Sequence, residues 1–224
     1  MKKLLGLVLV LAIVAVGAAA WSGVVQVPVV SHALGMDHAR DLGAAPADAT
    51  AYATWSKQLG LAFSSPDANY TFASKHTFAG TVKLDGTVPE GTLTGMREFG
   101  NPAPGISDVH VRFHAGSMET SAIVDLAPYG YPLSGPVYAR AAVTVTGPRT
   151  VSVSVSSLTF GNITVPSDIA AKAQDAINSY LATRLATIDG LSIKHLAFVD
   201  GAVDFTGTVP KSYGADIPAK GTLP

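Results

Sequence analysis

From His76 onward, apolar and polar residues alternate with a period of two, the spacing that sends successive side chains to opposite faces of a strand. Five runs carry this signal: His76 to Val88, Ser107 to His114, Met118 to Leu126, Val137 to Thr146 and Thr150 to Ser157. The sharpest is Val151, Val153 and Val155 alternating with Ser152, Ser154 and Ser156, which predicts one dry face and one wet face. Short connections at Ala115-Gly116 and Gly147-Pro148 predict hairpins, and hence antiparallel neighbours in a meander.

The period then changes. Ser167 to Ile188 reads as one long helix, with Pro166 before it, Ser167 as N-cap, Asp168 at the positive end of the dipole and Gly190 as the stop. At about 100° per residue, Ile169, Ala173, Ala176, Ile177, Tyr180, Leu181, Leu185 and Ile188 share one arc, opposite Asp168, Lys172, Asp175 and Ser179. This apolar arc is expected to lie on the valine face of the sheet. Leu191 to Val199 and Val203 to Thr208 follow as a hairpin whose Asp200-Gly201 pair suits a type I′ turn. Shorter helices are expected at Ala47 to Leu59 and, as one or two turns, at Thr92 to Phe99. The expected fold class is therefore α+β: a curved antiparallel sheet packed on one long C-terminal helix.

Two alternating runs close on the same tetrapeptide, Gly86-Thr87-Val88-Pro89 and Gly207-Thr208-Val209-Pro210, with Ile163-Thr164-Val165-Pro166 as a looser echo. Proline cannot donate to a ladder, so these tetrapeptides are read as strand terminators rather than as the mark of a repeat.

Ahead of all this, Lys2 and Lys3 precede an apolar stretch from Leu4 to Val25 that is long enough to cross a bilayer as a hydrophobic helix. Ala18 and Ala20, just before Trp21, also supply the small-x-small pattern of a cleaved signal peptide. Both readings place the remainder outside the cytoplasm. The expected organisation is a signal-anchor or signal peptide at 1–26, a juxtamembrane connector with short helices at 27–75, and the sheet-plus-helix domain at 76–224.

Composition narrows the function classes. Hydrophobic residues make up 48% and charged residues 14% of the 224 positions, a balance that fills a core and does not describe a disordered chain. A formal net charge of −1 provides no basic stripe for nucleic acid. The absence of cysteine removes disulfides, thiolate chemistry and the acylatable residue of a lipoprotein.

No Gly-x-Ser-x-Gly elbow, Ser-x-x-Lys pair or His-Glu-x-x-His motif is present, so no enzyme activity, cofactor or metal is expected. His110 and His114 share a strand face with Asp108 and Arg112, but four residues of strand span about 13 Å, too far for one ion without another strand. His32, His38, Asp37 and Asp41 are read as loop polarity, and Glu90, Glu98 and Glu119 have no spacing that pairs them.

Phe160-Gly161-Asn162-Ile163-Thr164-Val165-Pro166, the long helix, Gly190-Leu191-Ser192-Ile193 and the run from Asp200-Gly201 to Pro210 resemble the C-terminal half of YpmS-like membrane-anchored bacterial proteins. His32 to Gly43 also resembles the juxtamembrane segment of related proteins. The resemblance implies a long antiparallel sheet curling around a helix, broadly similar to tubular lipid-binding modules, outside a membrane. No catalytic residues come with it.

Arg184 breaks the apolar arc of the helix. Its stem is expected either to pack while the guanidinium snorkels to terminal carbonyls, or to reach an anionic headgroup in a groove between sheet and helix. The small residues Ala122, Ala139 and Ala141 motivate that groove, because they leave dry surface for a ligand. The ligand-binding candidates are Ile169, Ile177, Tyr180, Arg184 and Ile188. Expected partners are the membrane, through the N-terminal helix, and a lipid ligand; the alternative function is an envelope adaptor that holds a protein partner by β-addition.

Overall fold

The computed structural model describes residues 32, 36–63, 75–97, 105–125, 127 and 133–216. The expected membrane segment at 1–26 lies outside them, and among the described residues no helix is long and apolar enough to cross a membrane. The chain is mostly antiparallel β-structure with a few helices, consistent with the α+β expectation.

The elements in order are α1 (Ala49–Gln58), β1 (Ala62–Phe63), β2 (Lys75–Pro89), α2 (Glu90–Arg97), β3 (Ile106–His114), β4 (Ser117–Asp125), β5 (Ser134–Gly147), β6 (Thr150–Phe160), β7 (Ile163–Thr164), α3 (Ser167–Ala186), β8 (Ser192–Val199) and β9 (Ala202–Asp216).

Strands β3-β4-β5-β6-β7 form the expected antiparallel meander. The single curved sheet does not hold, because a second, four-stranded sheet is built around β9. That strand runs antiparallel to β2 on one side, and on the other to β8 along its first half and parallel to β1 near its end. The valine face of β6 is dry as predicted, with Val153 5% exposed while Ser154 and Ser156 face solvent. The layer that faces the meander is made of strands: β8 packs across β5, and Phe113 of β3 stacks on Phe198 of β8 with ring centroids 5.2 Å apart. Leu84, Val88, Ile193 and Val203 complete the core between the sheets.

The long helix spends its inward face differently from the prediction. No residue of α3 is buried, and it lies along the free edge of β6, on no sheet face. Asn178 Oδ1 accepts the Val153 N–H at 2.7 Å, Asn178 Nδ2 donates to the Val153 carbonyl at 3.0 Å, and Gln174 Oε1 accepts the Val155 N–H at 2.8 Å. The two amides stand one helical turn apart, a rise of about 6 Å. The two edge residues they serve are about 6.8 Å apart along the strand, so helix and strand are in register. On the helical wheel the amides sit about 100° round from the centre of the predicted arc, at its Leu185 edge.

Magnitudes explain the choice. Each stranded backbone group costs about 1–3 kcal/mol, and three are satisfied here, whereas half-burying an isoleucine gains only about 1 kcal/mol. The arrangement also shields an edge that is open to pairing with another chain.

Local details differ for similar reasons. The α3 cap position is Pro166, with no side-chain cap bond; its carbonyl accepts from Ile169 N and Ala170 N, so Ser167 is already inside the helix. At the other end, Arg149 donates to the Ala186 and Leu191 carbonyls at 3.3 and 3.1 Å, the role the sequence suggested for Arg184. In the β8–β9 turn only Gly201 takes positive φ (69°), so it is not type I′. Tertiary bonds set that geometry: Glu90 N donates to Gly201 O, Gly201 N to Phe113 O, and Ala115 N to the Asp200 carboxylate. Pro89 ends β2 as expected, but Pro210 lies inside β9, at the point where β8 has ended, β1 has not begun and only β2 flanks it.

Candidate functional site

The polar face of the meander is covered by the connector rather than bare. Asp108 adopts φ 49° at a bulge between Ser107 and His110, which turns its carboxylate onto residues 38–40. Asp108 Oδ2 accepts the Ala39 N–H at 2.7 Å, and Oδ1 lies 3.0 Å from His110 Nε2. Ser121, 1% exposed, accepts the Arg40 N–H at 2.7 Å. Arg112 donates to the Gly43 carbonyl at 2.9 Å.

Glu90, which is 0% exposed, takes the Ala45 N–H on one oxygen and the Phe113 N–H on the other, both at 2.6 Å, with Arg112 3.7 Å away. Seven residues of otherwise irregular chain are thus strapped down at Ala39, Arg40, Gly43 and Ala45, and α1 is held beyond them by Asp48 N to Gly91 O.

Electrostatics follow the strap. The Ala39 N–H holds the Asp108 carboxyl below its ordinary value against the opposing effect of burial, and His110 adds to the lowering. Burial pushes the Glu119 carboxyl up, but hydrogen bonds from Tyr138 (2.9 Å) and His114 (3.4 Å) outweigh it and the net shift is downward. The Tyr138 hydroxyl is raised by burial and by that same bond. Bonds from His32 and His38 lower the Asp37 carboxyl. The two strand histidines therefore serve separate carboxylates, and among the described residues no three metal-ligating side chains converge.

Where the strap crosses β4 and β5 it leaves an open cleft of about 580 Å³. Met36, His38, Arg40 and Asp41 line it from the connector, Ser121, Val137 and Tyr138 from the sheet, and Gly161 and Asn162 from the β6–β7 turn. The Arg40 guanidinium lies 4.6 Å over the Tyr138 ring.

The residues singled out on the helix do not line this cleft. Ile169 (51%), Ile177 (42%) and Tyr180 (43%) are exposed and share one side of α3, while Arg184 and Ile188 are half-buried. The expected enclosure of these side chains by the sheet is therefore replaced by an outward strip, with Arg184 5.5 Å from the Tyr180 ring. Ile163, 45% exposed, follows the cleft-lining Asn162 directly.

Sequence reasoning missed Arg40, Ser121 and Tyr138 in the cleft and Gln174 and Asn178 on the edge. Only the last pair had a readable signal, two carboxamides one helical turn apart. In comparisons with known proteins, no family model, curated protein or solved structure matches the chain.

Proposed function

We propose that the chain is a noncatalytic, membrane-tethered extracytoplasmic domain that binds lipid. The observation that carries this reading is the placement of apolar exposure: Ile163, Ile169, Ile177 and Tyr180, the large hydrophobic side chains left exposed among the described residues, all fall on β7 and α3. Apolar surface gathered in one place is the mark of a contact site, whereas scattered single residues are not. Its position supports a bilayer lipid as the contact. The turn that carries Ile163 shares the cleft with Met36 and His38, the part of the connector nearest the apolar N-terminal stretch. In this proposal lipid lies against an outward strip and is not enclosed between sheet and helix. The noncatalytic reading is supported by the employment of the polar groups, since Asp108 and Glu90 spend carboxylate oxygens on backbone N–H groups of the strap.

The test is native mass spectrometry of the full chain released from lipid nanodiscs. The parent is expected to retain acyl lipid, and Ile169→Ser with Ile177→Ser to lower retention several-fold. Absence of any acyl species on the parent overturns the proposal.

A second reading, an envelope adaptor, rests on β2. This 15-residue strand pairs only with β9 among the described residues and so leaves one long edge. It ranks second because the strand carries Lys83, 75% exposed, and Gly80 at φ 66°, features that blunt pairing. Crosslinking in cells separates the readings: one recurrent protein attached at β2 favours the adaptor.

A further inference from the structure

We infer that the cleft around Arg40 is the binding site for the phosphodiester headgroup of a phospholipid; this rests on the lipid reading above and specifies its polar half. Arg40 is pre-positioned at both ends. Its backbone N–H is held at 2.7 Å by Ser121, which is 1% exposed, and its guanidinium carbon lies 4.6 Å from the centroid of the Tyr138 ring. The Tyr138 hydroxyl is committed to Glu119 at 2.9 Å, so the ring offers its face and leaves the guanidinium N–H groups for another acceptor.

Among the described residues no carboxylate stands within ion-pair distance of that guanidinium, whereas Arg112 and Arg149 each have one. A planar, oriented and unneutralised cation at the wall of a 580 Å³ cleft is suited to a phosphate oxygen pair. The volume falls within the range of about 300–1,000 Å³ that small-molecule sites occupy.

The surroundings select the kind of phosphate. Asp41 lines the same cleft and adds a negative charge, which disfavours a dianionic monoester relative to a singly charged diester. Asn162 lines the cleft too, and the next residue along the chain is Ile163, the start of the exposed apolar surface. The cleft that holds Arg40 thus borders the start of the exposed apolar surface, in the order of a headgroup and its acyl chains. Arg184 serves a different region: from the start of α3 it lies about 25 Å along the helix.

The experiment titrates the full chain in a nonionic detergent with dioctanoyl phosphatidylglycerol, dioctanoylglycerol and free glycerophosphoglycerol, reading bound species by native mass spectrometry. Phosphatidylglycerol is expected to bind best. Arg40→Gln is expected to weaken it about tenfold, the scale of one charge-assisted hydrogen bond. The same variant should leave dioctanoylglycerol unchanged, Arg40→Lys should recover part of the loss, and Arg184→Met should leave the phosphate preference intact. Equal binding of phosphatidylglycerol by the parent and Arg40→Gln overturns the headgroup site and leaves the lipid reading standing. Glycerophosphoglycerol binding as tightly as the lipid makes the cleft a site for free phosphodiesters, which also overturns the inference. If neither dioctanoyl lipid binds the parent, both proposals fall.

Discussion

Removing the two carboxamides that α3 lays on β6 tests whether the helix is held by hydrogen bonds to a strand edge or by its apolar arc. In Gln174→Ala with Asn178→Ala, the Val153 N–H and C=O and the Val155 N–H lose their partners. A fully buried orphan costs about 1–3 kcal/mol, and these groups are part-buried, so about 1 kcal/mol each is the appropriate scale. Alanine returns about 0.5 kcal/mol per site in helix propensity. The net expectation is a destabilisation of about 2 kcal/mol, measured as a shift of the urea midpoint at unchanged slope. Hydrogen exchange sharpens the test, because the Val153 and Val155 amides should lose protection while Ser152 and Ser154, whose N–H groups alternate toward β5, keep theirs. Ile177→Ser is the counterpart: Ile177 is 42% exposed, so its removal should cost less than about 1 kcal/mol, where a buried core isoleucine would cost about 2–5. If Ile177→Ser proves more damaging than the double amide variant, the edge-docking account is wrong and the helix is held by grease.

Three further outcomes follow from the strap and the turns. Glu90→Ala leaves the Ala45 and Phe113 N–H groups unpaired and Arg112 without its nearest carboxylate, and should cost about 3–5 kcal/mol in denaturant unfolding. Gly190→Ala should destabilise by more than a surface substitution, as a lowered thermal midpoint, because Gly190 holds φ 85° and a methyl there would stand 2.8 Å from the Gly80 carbonyl. The strap should also release in acid. The Asp108 carboxyl is held below its ordinary value by the Ala39 N–H, so its contribution is complete above the unfolded value of about 3.9 and is lost as pH falls through the lower folded value. Exchange protection of the Ala39 amide should therefore persist at pH 5 and fade below about pH 3.9, with Asp108→Asn flattening the profile; protection independent of pH in the parent would contradict the assignment.

What could be read in the chain, and what could not, divides along the range of the interactions. Periodicity located β2 through β6, β8, the start of β9 and α3 within a few residues, because the alternation of Val151, Val153 and Val155 is imposed by a pleat the strand carries itself; β9 runs on to Asp216, well past the predicted end at Thr208. The partner of a face is not so encoded. The meander finds the β8–β9 layer chiefly through β3 and β5, and β2 pairs with a strand over a hundred residues away, matches that local pattern cannot rank. The helix shows why an amphipathic wheel misleads here. It scores grease, yet the deficit at the β6 edge was in N–H and C=O partners, and those weigh more than two half-exposed isoleucines.

The same inversion bears on the site. Turning Gln174 and Asn178 inward leaves Ile169, Ile177 and Tyr180 on the outside, so the exposed strip is a geometric consequence of how the edge is closed. A helix with alanine at both amide positions would have been free to rotate its grease inward; retaining carboxamides there keeps the strip outward. Edge protection and apolar display therefore come from one rotation of the helix, and a variant that turns the apolar arc inward should lose the edge bonds and, on the proposed function, lipid retention with them.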